Sequence, residues 1–152
     1  MKKIIVSVVV LFNLVTTSGA QSRVKWKLDI GSRMISSPVV DNNLAYFGAL
    51  DSTLYAVDVL SGKVKWKLKT NGEIRSTVAI QNNDLFLLGG NGVLTCANKE
   101  TGSVNWRIIY DETALFMSER RYDFADYYDS SPVIDNDKLF FGTGSGNFFA
   151  SI

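Results

Sequence analysis

Three near-copies of one pentapeptide constrain this chain more than any other feature. They are Val24-Lys25-Trp26-Lys27-Leu28, Val64-Lys65-Trp66-Lys67-Leu68 and Val104-Asn105-Trp106-Arg107-Ile108, with successive tryptophans 40 residues apart. Each alternates strictly, apolar at the first, third and fifth positions and polar or cationic between. Side chains of a strand point to opposite faces in turn, so each copy predicts a strand with one buried and one wet face. A tryptophan at the centre of the buried face, returning at a fixed period, is the mark of a repeat architecture.

Within one period the chain carries four short apolar runs separated by turn signals. After the first tryptophan strand, residues 24–28, come runs at Ser36–Val40, Leu44–Gly48 and Thr53–Val57, then the second tryptophan strand at 64–68. Asp41-Asn42-Asn43 and Asp51-Ser52 suit tight turns, since Asp and Asn tolerate turn geometry and bond back to the backbone. The second period matches along its length. Ser76-Thr77-Val78 stands for Ser36-Ser37-Pro38, Gln81-Asn82-Asn83 for Asp41-Asn42-Asn43, Leu85–Gly89 for Leu44–Gly48, and Thr101-Gly102 for Ser61-Gly62. In the third, 24 residues separate Trp106 from Ser130, against 10 from Trp66 to Ser76, so an insertion of 14 residues lies within about Tyr110–Asp129. The period then resumes through Ser130-Ser131-Pro132-Val133-Ile134 and runs to Ile152, inside its third strand.

Four antiparallel strands per period of about 40–45 residues is the arithmetic of a β-propeller blade. The expected fold is all-β: propeller blades of four antiparallel strands, about three of them present, in an incomplete ring. Residues 24–28 form an orphan outer strand, 36–68 and 76–108 two blades, and 130–152 an incomplete third.

Residues 1–20 stand apart from the repeats at 21–152. Lys2 and Lys3 precede an apolar run from Ile4 to Val15, and Ser18-Gly19-Ala20 places small residues at −3 and −1 of a cleavage point. This reads as a secretory signal peptide cut after Ala20, the run being short of the ~20 apolar residues a membrane span needs. A retained anchor is the other reading. Export would leave no transmembrane span after signal removal and place the protein in the periplasm or at the outer membrane of a Gram-negative bacterium. Of the 16 basic residues two fall within residues 1–20, leaving 14 against 15 acidic ones, a balance that gives no basic excess for nucleic acid. There is no histidine, which excludes a Ser-His-Asp triad, a histidine zinc site and a histidine general base. Cys96 is the single cysteine, so no disulfide forms within the chain, and its apolar neighbours favour burial.

The segments ending in the second and third tryptophans carry a family resemblance. Ala56-Val57-Asp58-Val59-Leu60-Ser61-Gly62-Lys63-Val64-Lys65-Trp66 resembles the pyrroloquinoline-quinone (PQQ) type repeat, Ala-x-Asp-x-x-Thr-Gly-x-x-x-Trp. Cys96-Ala97-Asn98-Lys99-Glu100-Thr101-Gly102-Ser103-Val104-Asn105-Trp106 is similar, with Cys96 and Asn98 departing from Ala and Asp; the other copy departs at Ser61. The Ser-Ser-Pro opening of a blade and glycines at 48, 89 and 142 also fit. The resemblance covers essentially all of residues 24–152. It implies a propeller of usually eight blades in which Trp26, Trp66 and Trp106 dock blade to blade. Eight periods would take about 320 residues, so the expectation is the N-terminal part of a longer propeller, the rival being a short chain that closes by oligomerising.

The resemblance implies two functional classes. One binds PQQ and calcium and oxidises alcohols or sugars, and its members carry a vicinal cysteine pair; Cys96 stands alone. The other lacks the cofactor and scaffolds proteins, as in outer-membrane protein assembly. The expected function is therefore non-catalytic: binding or scaffolding protein partners in the cell envelope, with no cofactor expected from this segment and no catalytic or metal-binding residue assigned. PQQ and calcium belong to the alternative. Gly142–Gly146 has neither the spacing nor the lysine of a phosphate loop and suits a hairpin turn. Lys25, Lys27, Lys65, Lys67 and Arg107 would make a basic stripe on outer strands, where charge blocks edge-to-edge pairing. The insertion supplies the candidate binding loop: Tyr110, Arg120, Arg121, Tyr122, Asp126, Tyr127 and Tyr128, residue types favoured at interfaces. Within it Thr113–Arg121 suits a short helix. A surface loop tolerant of length is the other reading.

Overall fold

The computed structural model describes residues 23–90, 92–110, 130–143 and 146–151. The proposed signal peptide, the candidate helix and most of the insertion lie outside them.

The described chain is all-β, in three antiparallel sheets. Blade 1 comprises β1 (Val39–Asp41), β2 (Leu44–Gly48), β3 (Thr53–Asp58) and β4 (Val64–Lys69), hydrogen-bonded in chain order. Blade 2 repeats this with β5 (Ala79–Gln81), β6 (Asp84–Gly89), β7 (Val93–Asn98) and β8 (Val104–Ile109). Blade 3 shows β9 (Val133–Asp135), β10 (Lys138–Gly142) and β11 (Phe148–Ser151). Short strands joined by turns of one kind keep each blade a meander. Asn42, Asn82 and Asn136 take positive φ of 51°, 53° and 46° between the first two strands of each blade, a conformation that Asn tolerates. The β3–β4 and β7–β8 ladders both slip by one residue, between Ala56 and Val57 and between Cys96 and Ala97.

The ladders correct one sequence alignment. Gly48 pairs with Leu54, Leu88 with Leu94 and Gly142 with Phe148, so Leu88, not Gly89, is the counterpart of Gly48. The sequence reading aligned glycine with glycine and slipped by one. Gly48 is needed because Ile74 lies over it: an added Cβ would stand 2.1 Å from the Ile74 Cγ2. Leu88 is instead buried in its own right.

Residues 24–28 are not a strand. A strand exists through its ladder, and this segment has no partner strand among the described residues.

The core lies between blades. Leu44, Tyr46, Leu54, Ala56 and Leu68 of blade 1 meet Leu85, Leu87 and Ala97 of blade 2 around Ile74 and Val78. Leu88 and Leu94 of blade 2 meet Leu139 and Phe141 of blade 3. Ala49, Tyr55 and Val57, on the opposite face of blade 1, are packed by Leu28 and Ile30. Blade 2 thus buries one face forward and one backward. A serine at each blade opening fastens the second strand: Ser36 Oγ accepts from Gly48 N–H at 2.9 Å and donates to its carbonyl at 3.0 Å. Ser130 does the same at Gly142, and Ser76 Oγ donates to the Leu88 carbonyl at 2.6 Å.

Candidate functional site

The repeated site is the joint between a tryptophan and the turn of the next blade. The turn is prepared by its sequence. Asp58 Oδ1 accepts hydrogen bonds from Ser61 N–H at 2.8 Å and Ser61 Oγ at 2.7 Å, and Gly62 N–H donates to the Asp58 carbonyl at 2.8 Å. The Ser61 hydroxyl, helped by its N–H, holds the Asp58 carboxyl below the usual range. In blade 2 Asn98 Oδ1 takes the same place, accepting from Glu100 N–H at 2.9 Å and Thr101 N–H at 3.0 Å. Asn supplies the same acceptor without charge, which accounts for its standing in for Asp. Gly62 and Gly102 close the turns at φ +70° and +74°, where L side chains are strained.

Those glycines also clear space for indole. Trp66 lies flat on Gly102, where an added Cβ would come 2.5 Å from its Cε3. Its Nε1 donates to the Lys99 carbonyl at 3.0 Å. Trp26 repeats the geometry on blade 1: a Cβ at Gly62 would come 2.6 Å from Trp26 Cδ2, and Nε1 donates to the Val59 carbonyl at 2.9 Å. The segment 24–28 therefore occupies the outer-strand position without being in a ladder. Trp106 has the fold of Trp66 without the joint. It meets Phe86 in its own blade at 5.9 Å between centroids and is 38% exposed.

Polar contacts align the seams. Ser37 N–H donates to Thr77 Oγ1 at 3.3 Å and Thr77 N–H to Ser131 Oγ at 2.9 Å, linking the openings of three blades. Lys99 Nζ pairs with Asp41 across the first seam, and Gln81 Nε2 donates to Asp137 Oδ1 at 2.6 Å across the second. Beside the Asp41 pair, the Tyr46 hydroxyl is fully buried with no hydrogen-bond partner among the described residues. Desolvation, with Glu100 and Asp41 nearby, pushes its pKa up to about 12.

Of the candidate binding loop, the structure describes only Tyr110. It is not a loop side chain reaching into solvent. Its ring packs 4.7 Å from Phe141 and 5.1 Å from Phe149, and its hydroxyl shares a 3.2 Å hydrogen bond with Ser151 Oγ. Blade packing claims it because the β8 ladder carries the chain straight into the second seam. Arg120, Arg121, Tyr122, Asp126, Tyr127 and Tyr128 lie outside the described residues. Cys96 is buried, and desolvation pushes its thiol up to about 11, unsuited to nucleophilic work. Lys67 lies over the Tyr55 ring at 5.1 Å, a cation–π contact within its own blade.

Calcium takes six to eight oxygen ligands, several of them carboxylates. Among the described residues no three Asp, Glu, Cys or His groups converge.

The meander blades are shared with known proteins. The family model described as outer membrane protein assembly factor BamB matches residues 5–152. BamB from Moraxella catarrhalis superposes with a TM-score of 0.65 at 13% identity, over 83% of this chain and 36% of that one. Quinohemoprotein alcohol dehydrogenase ADHIIG from Pseudomonas putida HK5 gives 0.62 at 21% identity, over 82% of this chain and 20% of that one. The quinohemoprotein alcohol dehydrogenase of Comamonas testosteroni gives 0.56 at 17% identity, over 73% and 17%. No curated protein sequence matches the chain. The chain thus spans about a third of the BamB structure and a fifth of the ADHIIG dehydrogenase. On the match over residues 5–152, with the repeat and the blades that carry it, this chain belongs to the PQQ-like β-propeller repeat family described as outer membrane protein assembly factor BamB.

Proposed function

We propose that this chain is a non-catalytic propeller scaffold of the bacterial cell envelope, binding protein partners in the assembly of outer-membrane proteins. The observation that carries this reading is the family match over residues 5–152. The residues support it in kind. Trp26, Trp66, the blade-opening serines and the Asp58 turn all serve blade packing, and Cys96 is buried. Residues 1–20 carry the signal-peptide pattern that would deliver the chain across the inner membrane. Among the described residues no helix is long and apolar enough to cross a membrane. The lysines of the outer strands are the surface offered for contact, and the arginines and tyrosines of the insertion are the candidates the sequence adds.

The test is deletion of the gene in its host, reading the amount of folded β-barrel protein in the outer membrane. The reading predicts a fall that the wild-type gene restores and that a gene lacking residues 2–20 does not. Unchanged barrel levels would contradict it. The quinoprotein likenesses favour one second reading, the front part of a PQQ- and calcium-dependent dehydrogenase. Dye reduction with an alcohol or sugar, dependent on both added PQQ and calcium, would establish that reading instead.

A further inference from the structure

Three ladder rows are equivalent by register, and one of them is hollow. On the backward face of blade 1 the row is Phe47, Tyr55 and Lys67; in blade 2 it is Leu87, Thr95 and Arg107; in blade 3 it includes Phe141 and Phe149. Ile30, Thr70 and Tyr110, each 40 positions from the next, belong to these rows in turn. Thr70 and Tyr110 are anchored alike, their N–H groups donating to the Ser52 carbonyl at 2.8 Å and the Gly92 carbonyl at 2.9 Å. Rings fill two of the rows. Phe47 and Tyr55 stack at 5.5 Å, with Ile30 packed behind and Lys67 over the Tyr55 ring. Phe141 and Phe149 stack at 5.3 Å, with Tyr110 against both. The first seam has threonines at 70 and 95 and a leucine at 87 instead, and a cavity of about 20 Å³ remains, with Thr70, Asn71, Leu87, Val93, Thr95 and Arg107 in its lining. Both blades of this seam are complete four-stranded sheets. Protein interiors are close-packed, so the hollow forfeits contacts that the other two rows make. A water needs about 10–15 Å³ of such space, so this one takes a group of two or three heavy atoms and no ring.

We infer that this cavity is a binding site for a carboxylate on a short apolar stem, received by Arg107 and the Thr95 hydroxyl. Arg107 stands where blade 1 has Lys67, but its ladder partner is Thr95 where Lys67 has the Tyr55 ring. It is exposed and has no acidic partner among the described residues. A guanidinium offers a planar fork that a carboxylate fills with two hydrogen bonds. Thr95 is 2% exposed, and its hydroxyl has no hydrogen-bond partner among the described residues. A buried donor left unpaired is costly, and a carboxylate oxygen would accept from it. The Thr70 hydroxyl is already engaged, donating to the Ser52 carbonyl at 3.0 Å and the Gly72 carbonyl at 2.7 Å. Leu87 and Val93 supply the apolar wall for a methylene stem. A phosphate, larger and more highly charged, would meet a single cation and that wall. A glutamate side chain of a docking protein and a free short-chain acid both present the required group.

The test follows amide shifts by NMR in the isotope-labelled full chain during titration with N-acetylglutamate amide, N-acetylglutamine amide, propionate and inorganic phosphate. Expected are saturable shifts at Val93, Thr95 and Arg107 with the glutamate compound or propionate, and none with the glutamine compound. Tighter binding of the glutamate compound assigns the site to a protein side chain, and tighter binding of propionate to a free acid; both uphold the inference. Arg107→Gln should abolish the shifts. Thr95→Val, which keeps the shape and removes the hydroxyl, should weaken binding about tenfold, as for a hydrogen bond to a charged group. Thr95→Phe restores the ring that blade 3 has at Phe149, so it should block binding and raise the urea midpoint. Should that variant fail to fold, Arg107→Gln and Thr95→Val decide. The inference is overturned by the absence of saturable shifts, by equal response to the glutamate and glutamine compounds, by undiminished binding to Arg107→Gln, or by phosphate binding as tightly as the carboxylates.

Discussion

Trp66 and Trp106 occupy the same place in successive blades, opposite Ala56 and Cys96 of their own ladders, yet only one of them is a joint. Trp66 has a turn beneath it and a carbonyl for its Nε1, and two residues on Leu68 is 8% exposed. Trp106 has neither contact among the described residues, and Ile108, the counterpart of Leu68, is 42% exposed. The two strands share a pattern and a ladder. What differs is the neighbour, so the indole's contribution belongs to the seam between blades and not to the strand that carries it.

The sharpest way to break this comparison is to truncate both rings. Trp66→Ala should cost about 3 kcal/mol, in the range for loss of a large aromatic, and Trp106→Ala well under half of that, both read from urea unfolding. Equal losses would mean the strand alone sets the energy. Next come the glycines. Gly102→Ala adds strain at φ +74° to a Cβ 2.5 Å from the indole, for a total of about 3 kcal/mol. Gly31→Ala, at φ +69° with nothing within 4 Å, carries only the backbone part of about 1 kcal/mol. Tyr46→Phe works in the other direction. It removes a buried hydroxyl without a partner among the described residues, so stability should rise by about 1 kcal/mol. A loss would show that the hydroxyl is satisfied in solution.

Alkaline pH sharpens the same point. Cys96 rises from 9.0 to about 11 and Tyr46 from 10.0 to about 12 on folding. The unfolded chain then loses these protons first, so stability should fall between about pH 9 and pH 12. Cys96→Ala should remove the part between about 9 and 11. The smallest effect is expected at the seam pair. Asp41→Asn leaves Lys99 beside a neutral partner, and since Asp41 is a third exposed the cost is about 1 kcal/mol or less. Added salt should shrink it.

The blades were legible in the sequence because their signals are local. Alternation around Trp66, Asn at positive φ after Asp41, and glycine closing the Asp58 turn each act within a few residues. What the sequence did not show depends on distant neighbours. Gly48 is required by Ile74, which approaches from the loop after β4, and nothing near Gly48 says so; hence the slip that aligned it with Gly89. Lys99 and Asp41 meet only because two blades stack in one register. Tyr110 looks like a loop tyrosine by position and is taken into the core by blade 3. The pattern at 24–28 promised a strand, and its tryptophan found the docking turn, while the ladder needs a partner no local signal supplies.

One measurement addresses the joint itself: a double-mutant cycle on the full chain with Trp66→Ala, Gly102→Ala and the pair, each by urea unfolding. If the indole lies on the glycine, the alanine methyl clashes only while the ring is present. Gly102→Ala should then cost about 2 kcal/mol less in the Trp66→Ala background than in the wild type. Additive losses, within about 0.5 kcal/mol, would mean that ring and turn do not touch, and the tryptophan-to-turn joint would no longer explain how the blades are held together.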